Sequence, residues 1–293
     1  MPELPEVETV RRGLAPVMEG AVISAVEQRR ANLRFAFPDR FVERLTGQTV
    51  TALSRRAKYL LADLSSGDVL VMHLGMSGSF RIAAGDKAQA PGKFHHPKGK
   101  DQRHDHVVFT FASGDQVVYN DPRRFGFMDL IARSDLSGHK FFNLLGVEPL
   151  GNAMHPQVLA TAALGKSAPL KALLLDQHVI AGIGNIYACE ALWRAGLSPR
   201  RAANTLVRKD GRPRLAAERL SGFIIDVLND AIAAGGSSLR DHRQADGELG
   251  YFQHAFAVYD RQGMDCHRPD CAGTIRRIVQ SGRSSFYCPR CQH

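Results

Sequence analysis

The residues best placed for covalent chemistry are the first three, Met1-Pro2-Glu3. An initiator Met before a small residue is normally removed, so we expect Pro2 to carry the α-amino group. Such an amine has a pKa of about 8, against about 10.4 for a lysine side chain, so more of it is unprotonated at neutral pH and able to attack electrophilic carbon. Glu3 places a carboxylate beside the amine, where it can transfer protons. The pair predicts an N-terminal nucleophile with its own acid–base group.

The same stretch is also typical of an ordinary helix start. Pro5 suits a first helical position, and Glu6 and Glu8 in the first turn complement the helix dipole. We expect the helix to stop at Gly13 and Pro16. The two interpretations are compatible, because a helix would hold the terminus still for catalysis.

Four of the five cysteines predict a metal site. They form a Cys-x4-Cys and a Cys-x2-Cys pair, namely Cys266, Cys271, Cys288 and Cys291. Four thiolates can surround one tetrahedral Zn²⁺, and a site with four protein ligands is structural because no position is left for water. We expect this single zinc ion, no catalytic metal and no organic cofactor. The ion would stabilise a small hairpin whose tip, residues 280–284, presents Arg283 outward as a phosphate contact requires.

The balance of charges predicts a polyanionic partner. The 293 residues carry a net charge of +9, with 44% hydrophobic residues, which is typical of a globular protein large enough for two cores. Nucleic acid is favoured over a membrane because no basic amphipathic stretch is present, and solubility alone is the alternative explanation. No secretory signal or membrane span is visible, and the metal-type cysteine spacing fits a reducing cytoplasm.

Short apolar runs separated by turns predict an N-terminal β-sandwich behind the leading helix, and helical periodicity follows in the second half. The predicted strands are residues 22–26, 50–53, 59–64, 69–74, 107–111, 117–120 and 127–131, with three more at 256–259, 274–279 and 285–287. The predicted helices are residues 157–164, 171–175, 186–195 and 215–234. The fold class is α+β. Its predicted parts are a β-sandwich domain at 1–133, a linker at 134–155, a helical domain at 156–250 and a zinc finger at 251–293. Polar loops are expected at 83–102 and 237–251.

Two glycine-bounded loops would expose apolar and cationic side chains. Residues 73–78 would project Met76, and residues 121–126 would project Arg123 and Phe125. A Met or Phe is usually buried, but between glycines it is poorly placed to pack. An enzyme that extrudes a base from DNA must refill the vacated stack with side chains of this kind.

Two other motifs have both a functional and an ordinary explanation. Residues 182–188 form a glycine turn before a helix, where N–H groups and Asn185 could hold a phosphate, although close helix packing also explains the glycines. Residues 55–58 place three cations, the last of them Lys58, at a strand end, where cations also protect an exposed sheet edge.

These motifs, in this order, resemble the formamidopyrimidine-DNA glycosylases, bacterial enzymes that remove oxidised purines from DNA. The resemblance rests on residues 2–9, Lys58, the two loops, the turn at 182–188 and the zinc hairpin, and it spans nearly the whole chain. The first cysteine pair departs from the family's usual Cys-x2-Cys spacing. The resemblance implies a β-sandwich catalytic domain, a helix–two-turn–helix domain and a C-terminal zinc finger.

The resemblance also implies a role for each matching residue. Pro2 and Glu3 would excise the base, and Lys58 and Arg283 would assist strand cleavage. The remaining implied residues would contact DNA, with Met76, Arg123 and Phe125 filling the void and His73, His104, Lys166, Lys171 and Asn185 binding the strands. For His104, a structural role at a strand start is the alternative.

The implied function is that of a bifunctional glycosylase and abasic-site lyase of base excision repair. Pro2 would form a Schiff base with the sugar of an oxidised purine nucleotide, and β- and δ-elimination would follow. The partner would be damaged double-stranded DNA, bound by a cytoplasmic, nucleoid-associated monomer with no membrane contact. Three alternatives are an endonuclease VIII-like glycosylase for oxidised pyrimidines, a tautomerase with a proline base, and a non-enzymatic zinc-ribbon DNA-binding protein. The tautomerase leaves the zinc hairpin unexplained, and the binding protein leaves Pro2-Glu3 unexplained.

Overall fold

The computed structural model describes residues 2–83, 101–237 and 252–293, which form two compact units. The first unit is Met1–Asn143 with Ala234–Tyr251, and the second is Leu144–Ala233 with Phe252–His293. Met1 and most of the two predicted polar loops, residues 84–100 and 238–251, lie outside the described residues. The domain boundaries at residues 133, 155 and 250 stay predictions. Within the described ranges, no helix is long and apolar enough to cross a membrane.

The first unit is an antiparallel β-sandwich with a helix at its front, as the sequence predicts. Its described helices and strands are α1 (Leu4–Met18), β1 (Ile23–Gln28), α2 (Phe41–Leu45), β2 (Val50–Arg56), β3 (Tyr59–Leu64), β4 (Asp68–His73), β5 (Ser79–Ala83), β6 (Asp105–Phe111), β7 (Gln116–Asn120) and β8 (Phe127–Ala132). One sheet has the strand order β1-β6-β7-β5, and the other has the order β2-β3-β4-β8. Alternate side chains of both sheets meet those of α1 in one core, where Leu14, Leu60 and Phe109 are fully buried.

Two features of this unit differ from the sequence prediction. The helix α1 does not stop at Gly13 but continues through Pro16 to Met18. Pro16 removes one backbone donor, and the burial of Leu14 and Met18 in the core offsets that loss. The sequence prediction also misses the short elements α2 and β5, and β5 forms the edge of its sheet by pairing with β7.

The second unit is helical and ends in a two-stranded hairpin. Its described helices and strands are α3 (Pro156–Ala163), α4 (Leu170–Leu175), α5 (Asn185–Ala195), α6 (Leu215–Ala233), β9 (Arg276–Gln280) and β10 (Arg283–Tyr287). Each helix begins within one residue of its predicted start. A small core joins α5 to the hairpin through Cys189, Val258 and Phe286.

Residues 256–259 are not the predicted strand. They form a bend and a turn, and the backbone N–H groups of Ala257, Val258 and Tyr259 donate to the carboxylate of Glu190 at 2.8–3.0 Å. Glu190 is buried on α5, where burial raises the pKa of its carboxyl group against the opposing effect of these three donors. A side chain therefore satisfies the backbone groups that a partner strand would otherwise bind.

Candidate active site and nucleic-acid interface

Glu3 and Glu6 cap the start of α1, directly after Pro2. Glu3 is the N-cap in extended conformation, its backbone N–H donates to Oε2 of Glu6 at 2.8 Å, and its side chain accepts the backbone N–H of Glu6 in return. Pro2 and Glu3 are both buried. This reciprocal capping box fixes the backbone on which the predicted nucleophile and its neighbouring carboxylate stand.

Glu6 also binds Ser237, a contact that the sequence does not predict. Its Oε1 accepts hydrogen bonds from both the backbone N–H and the hydroxyl of Ser237, each at 2.8 Å. Gly236, with φ of +79°, lies so close that a Cβ there would be 3.3 Å from this carboxylate oxygen. Glu6 therefore ties the segment at 236–237 to the residues that cap α1.

Lys58 lies in the turn between β2 and β3, directly after Ala57, which has φ of +53°. Arg55 fastens this turn to α1, because its guanidinium pairs with Glu8 at 3.4 Å and donates to the carbonyl of Ala57 at 2.8 Å. Lys58 is only 8% exposed. Its burial argues against a solvated edge lysine and for a cation held inside the unit.

His73 ends β4 and is held as a neutral ring. Burial, and then the positive charges of Lys58 and Arg34, lower the pKa of His73 to about 4. The ring stacks on Phe127 with centroids 5.3 Å apart, and Nδ1 lies 3.0 Å from the backbone N of Gly75. Since Nδ1 accepts that hydrogen bond, Nε2 carries the proton and is the atom that can donate to a ligand.

The two predicted loops expose the three side chains expected to fill a vacated base stack. Met76 is 38% and Phe125 43% exposed, although both are large apolar residues. The guanidinium of Arg123 lies 4.8 Å from the centroid of the Phe125 ring, so the cation and the ring form a pair. The structure thus brings together Arg123 and Phe125, on the loop adjoining that of Met76.

A buried carboxylate joins these loops. Asp121 is fully buried and accepts hydrogen bonds from the Ser77 hydroxyl at 2.5 Å, the Tyr119 hydroxyl at 3.2 Å and the Gly126 backbone N–H at 2.8 Å. Ser77 also accepts the backbone N–H of Arg123 at 3.2 Å. Burial, and then the negative charge of Asp121, raise the pKa of Tyr119 well above 10, so its hydroxyl remains a donor.

The backbones of the two loops are in direct contact. A Cβ on Gly75 would lie 2.3 Å from the carbonyl carbon of Phe125, and a Cβ on Gly126 would lie 1.8 Å from the Tyr119 hydroxyl. Neither position has room for a side chain. The loops at 73–78 and 121–126, together with Asp121 and Tyr119, therefore form one wedge platform.

His104 ends a 3₁₀ helix just before β6 and lies against the same platform. Its carbonyl accepts the backbone N–H of Asp121 at 3.0 Å, and its ring centroid is 6.5 Å from that of His106. The Nε2 atom of His106 is 2.9 Å from the carbonyl of Asp121. His104 is half-buried, so a structural role and a DNA contact both fit this position.

In the second unit, the glycine turn before α5 is shaped by a glutamine that the sequence analysis misses. The Gln177 side chain accepts the backbone N–H of Gly182 at 2.9 Å and donates to the carbonyl of Ile183 at 2.9 Å. Gly182 has φ of +94°. The turn delivers Asn185 to the first position of α5, where its Nδ2 donates to the carbonyl of Ser284 at 2.9 Å.

Lys171 is placed inside the second unit. The side chain is 1% exposed, and Nζ donates to the Ser284 carbonyl at 3.0 Å and to the Ser285 hydroxyl at 2.6 Å. Lys171 and Asn185 thus converge on one carbonyl next to Arg283. The predicted DNA contact of Lys171 stays a prediction, and its geometry gives it the role of a clamp on the hairpin.

The hairpin presents Arg283 as the sequence predicts. Ser281 and Gly282 have φ of +48° and +72°, which is the two-residue turn that matches the twist of antiparallel strands. Arg283 follows this turn, is exposed, and makes no ion pair among the described residues. Lys166, in the loop before α4, is likewise exposed.

The four predicted zinc ligands meet at one point. Their Sγ atoms all lie within 4.8 Å of one another, with 3.7 Å between Cys266 and Cys291 and 3.7 Å between Cys271 and Cys288. A tetrahedron with Zn–S bonds of about 2.3 Å has edges of about 3.8 Å, so the cluster fits Zn²⁺. The wider first spacing is accommodated by a turn in which the residue before Cys271 has φ of +60°.

The surroundings of the cluster act differently on its sulfur atoms. Burial raises the pKa of Cys288 and Cys291, whereas Cys266 has a hydrogen-bond donor beside it. The indole N–H of Trp193 donates to Sγ of Cys266 at 3.3 Å. Burial acts to raise the pKa of Cys266, but this donor and others outweigh it and lower the pKa to about 7. A Cβ on Gly273 would lie 2.5 Å from Sγ of Cys288, so only glycine leaves room beside the sulfur atoms.

Three family models match the chain in succession. They describe the formamidopyrimidine-DNA glycosylase N-terminal domain at residues 1–128, the formamidopyrimidine-DNA glycosylase H2TH domain at residues 145–243, and the zinc finger found in FPG and IleRS at residues 266–293. The last match and the cysteine cluster together confirm the predicted structural zinc site.

Relatives and solved structures match over the full length. Proteins named formamidopyrimidine-DNA glycosylase from Sinorhizobium fredii and Beijerinckia indica are 62% and 65% identical, and each alignment covers 100% of both chains. The MutM (FPG) protein of Thermus thermophilus has a TM-score of 0.81 at 38% identity, over 99% of this chain and 98% of that one. A Lactococcus lactis FPG mutant in complex with Fapy-dG-containing DNA has a TM-score of 0.83 at 33% identity, over 100% of both chains. With its three domains matched in order and its relatives aligned end to end, the chain belongs to the formamidopyrimidine-DNA glycosylase family.

Proposed function

We propose that this chain excises oxidised purines from duplex DNA and then cleaves the strand at the resulting abasic site. The observation that carries the proposal is the buried Pro2-Glu3 terminus, in which the capping box with Glu6 fixes Glu3 at the start of α1. A nucleophile accelerates a reaction most when its approach is fixed in advance, because the entropy of positioning is then lost on folding and not during the reaction.

The Pro2 nitrogen, with Met1 removed, is the proposed nucleophile. It forms a bond to C1′ of the damaged nucleotide and gives up its own N–H proton, and the bond from C1′ to the base breaks as the base leaves with its electron pair and takes up that proton. Glu3 supplies a proton to the ring oxygen as the sugar opens, which leaves an iminium between Pro2 and C1′. Glu3, 3% exposed beside Pro2, is the carboxyl group adjacent to the reacting nitrogen.

Strand cleavage follows from the same intermediate. The cationic iminium withdraws electrons from C2′, so a C2′ proton is lost and the 3′ phosphate is expelled. A second elimination expels the 5′ phosphate, and hydrolysis releases the sugar fragment and restores the Pro2 amine. Lys58 and Arg283 are the proposed cations that stabilise the departing phosphates. They belong to different units.

Recognition of duplex DNA is assigned to both units. Met76, Arg123 and Phe125 are proposed to occupy the space that the extruded base leaves. The strand contacts are proposed at the other predicted DNA residues, His73, His104, Lys166, Lys171 and Asn185. The zinc ion has no chemical step in this scheme, because its four thiolates leave no position for a substrate. The protein is proposed to act as a monomer on the bacterial nucleoid.

Borohydride trapping tests the enzymatic part of the proposal. The duplex would contain 8-oxoguanine opposite cytosine, and reduction of the iminium should link DNA covalently to Pro2, as located by peptide mass spectrometry. A matched protein that retains Met1 should form no adduct and excise no base. Equal turnover by that blocked protein would reject Pro2 as the nucleophile. A preformed abasic duplex tests the lyase step separately, since it should be cut without base release.

Oxidised pyrimidines are a second candidate substrate class. A Lactococcus lactis FPG, with a TM-score of 0.82 and 33% identity, has been crystallised with oxidised-pyrimidine-containing DNA. Competition between 8-oxoguanine and oxidised-pyrimidine duplexes in the trapping assay separates the two classes. We expect the purine duplex to trap faster, and the reverse order would assign the chain to pyrimidine repair.

A further inference from the structure

A basic segment in the second unit lies outside all the residues assigned above. Residues 199–214, between α5 and α6, contain six cations and one acid, namely Arg200, Arg201, Arg208, Lys209, Arg212, Arg214 and Asp210. Six minus one gives the segment a formal charge of +5, whereas the whole chain has a net charge of +9. More than half of the excess positive charge therefore lies in this one connection between two helices.

The far end of the basic segment is a closed turn. Val207 pairs with Pro213 in an isolated β-bridge, the backbone N–H of Arg208 donates to the carbonyl of Arg212 at 2.8 Å, and that of Gly211 donates to the carbonyl of Arg208 at 3.0 Å. Its acid, Asp210, accepts hydrogen bonds from the backbone and side chain of Arg212. The turn is thus ordered by its own backbone bonds, and its only carboxylate is already occupied.

The basic segment is also anchored at both ends to the rest of the unit. Near the turn, Nε2 of Gln157 on α3 donates to the carbonyl of Gly211 at 3.0 Å. At the start, the carbonyl of Pro199 accepts the Nε2 of Gln280 at 3.2 Å, and Gln280 pairs with Arg283 across the hairpin. The segment is therefore continuous with the hairpin that carries the proposed phosphate contact.

Three cations of the basic segment have no fixed partner. Arg200, Arg208 and Lys209 are exposed, and their side chains make no ion pair or hydrogen bond with any described residue, although the charge of Arg208 helps to lower the pKa of the nearby Asp210. Several exposed arginines elsewhere are paired, such as Arg40 with Glu43 at 2.6 Å. The three unpaired cations resemble Arg283, which is also exposed and makes no ion pair within the described ranges.

The surface chemistry of the basic segment fits a phosphate backbone. Its apolar residues Leu206 and Val207 are buried, so it offers charge without the apolar anchors that protein partners use. We propose that the basic segment is a second contact for duplex DNA, in which Arg200, Arg208 and Lys209 bind backbone phosphates away from the damaged nucleotide. This inference rests on the proposed function for its ligand, and it adds a binding surface that the catalytic scheme does not contain.

The salt dependence of DNA binding tests the inference. The test variant carries Arg200→Gln, Arg208→Gln and Lys209→Gln and is titrated with a duplex of about 30 base pairs holding a non-cleavable abasic analogue. Each phosphate contact contributes about 0.9 to the slope of log K against log salt, so three lost contacts should reduce the slope by about 2.7. The single-turnover excision rate at saturating enzyme should not change, since none of these residues belongs to the proposed catalytic or base-replacing groups.

The matched control removes the same charge from elsewhere. It carries Arg12→Gln, Arg40→Gln and Arg133→Gln, which are exposed arginines already bound to carboxylates. In this control variant, the slope of log K against log salt should fall by less than about 1. An unchanged slope in the test variant, or an equal fall in the control, would overturn the inference.

A charge-preserving variant separates charge from fold. This variant carries Arg200→Lys, Arg208→Lys and Lys209→Arg, and its slope of log K against log salt should equal that of the unaltered protein. A reduced slope in this variant, which retains all three charges, would also overturn the inference. Zinc content and thermal unfolding are measured for every variant. The binding assay needs no turnover, so a protein that binds through the segment but excises nothing would reject the proposed function alone.

Discussion

Replacing Ser77 by alanine should uncouple the two halves of the wedge platform. The Ser77 hydroxyl donates to Asp121 at 2.5 Å and accepts the backbone N–H of Arg123 at 3.2 Å, so it links the loop at 73–78 to the loop at 121–126. A hydrogen bond to an ionised acceptor contributes about 1.5–3 kcal/mol, and a neutral one about 0.5–1.5 kcal/mol. Ser77→Ala should therefore lower the free energy of unfolding of the first unit by about 2–4.5 kcal/mol.

A double-mutant cycle isolates the link itself. If Ser77 acts through Asp121, urea unfolding of Ser77→Ala, Asp121→Ala and the double variant should give a coupling energy of about 1.5–3 kcal/mol. Tyr119→Phe replaces Asp121→Ala in a second cycle that keeps the carboxylate. Ser24→Ala, an exposed serine on β1, is the matched control and should change stability by less than about 0.5 kcal/mol. Additive effects of Ser77→Ala and Asp121→Ala would refute the shared platform.

The functional readout separates a platform from general stability. On the proposed function, Met76, Arg123 and Phe125 fill the vacated space together when an intact base is extruded, whereas an abasic site has no base to displace. Single-turnover excision of 8-oxoguanine by Ser77→Ala should therefore fall by at least about tenfold, while cleavage of an abasic duplex falls by less than about threefold. Equal losses of both activities would mean that Ser77 only stabilises the fold.

Buried and metal-bound groups give three more predictions. Burial and the charge of Lys58 lower the pKa of His73 to about 4, so as the pH falls the His73 ring is protonated in the unfolded chain before it is protonated in the folded one. The free energy of unfolding should therefore decrease by up to about 1.4 kcal/mol per pH unit as the pH falls from 6.5 towards 4. His73→Gln should remove that slope in urea titrations at several pH values, and an unaltered slope would contradict the assignment. Lys171→Met and Arg283→Ala should each weaken DNA binding, and the double variant should lose less binding free energy than the sum of the two single losses, because Lys171 acts by clamping the hairpin that carries Arg283. Additive losses would make Lys171 a separate DNA contact. Cys288→Ser should release zinc, measured by elemental analysis, and destabilise residues 266–293; full metal content would count against the site.

Features that depend on neighbouring residues in the sequence could be predicted. The cysteine spacing indicated all four zinc ligands, and the apolar patterns located the sandwich strands and the helix starts. The end of α1 could not be predicted, because Pro16 breaks helices by a local effect, whereas burial of Met18 is set by strands far along the chain. Local rules therefore failed where tertiary packing outweighs them.

The hydrogen-bond partners of buried carboxylates could not be predicted from the sequence either. Asp121 stands in a recognised motif, yet nothing local indicates that it binds Ser77, which is 44 positions away. Glu190 reads as an ordinary polar residue of an amphipathic helix, and only the fold brings it to three backbone N–H groups around Val258. In both cases the cost of burying a carboxylate is offset by donors that the fold alone brings near.

Positive charge shows most clearly what a sequence leaves undetermined. Lys171 resembles a DNA contact, yet its ammonium is buried and donates to Ser284 and Ser285, which gives it the geometry of a clamp on the hairpin beside Arg283. Arg208 and Lys209 belong to no recognised motif, yet they are exposed and unpaired among the described residues. Counterion release counts only the cations that reach phosphates. The salt dependence of DNA binding should therefore follow the unpaired cations of each unit, and the net charge of +9 is a poor guide to it.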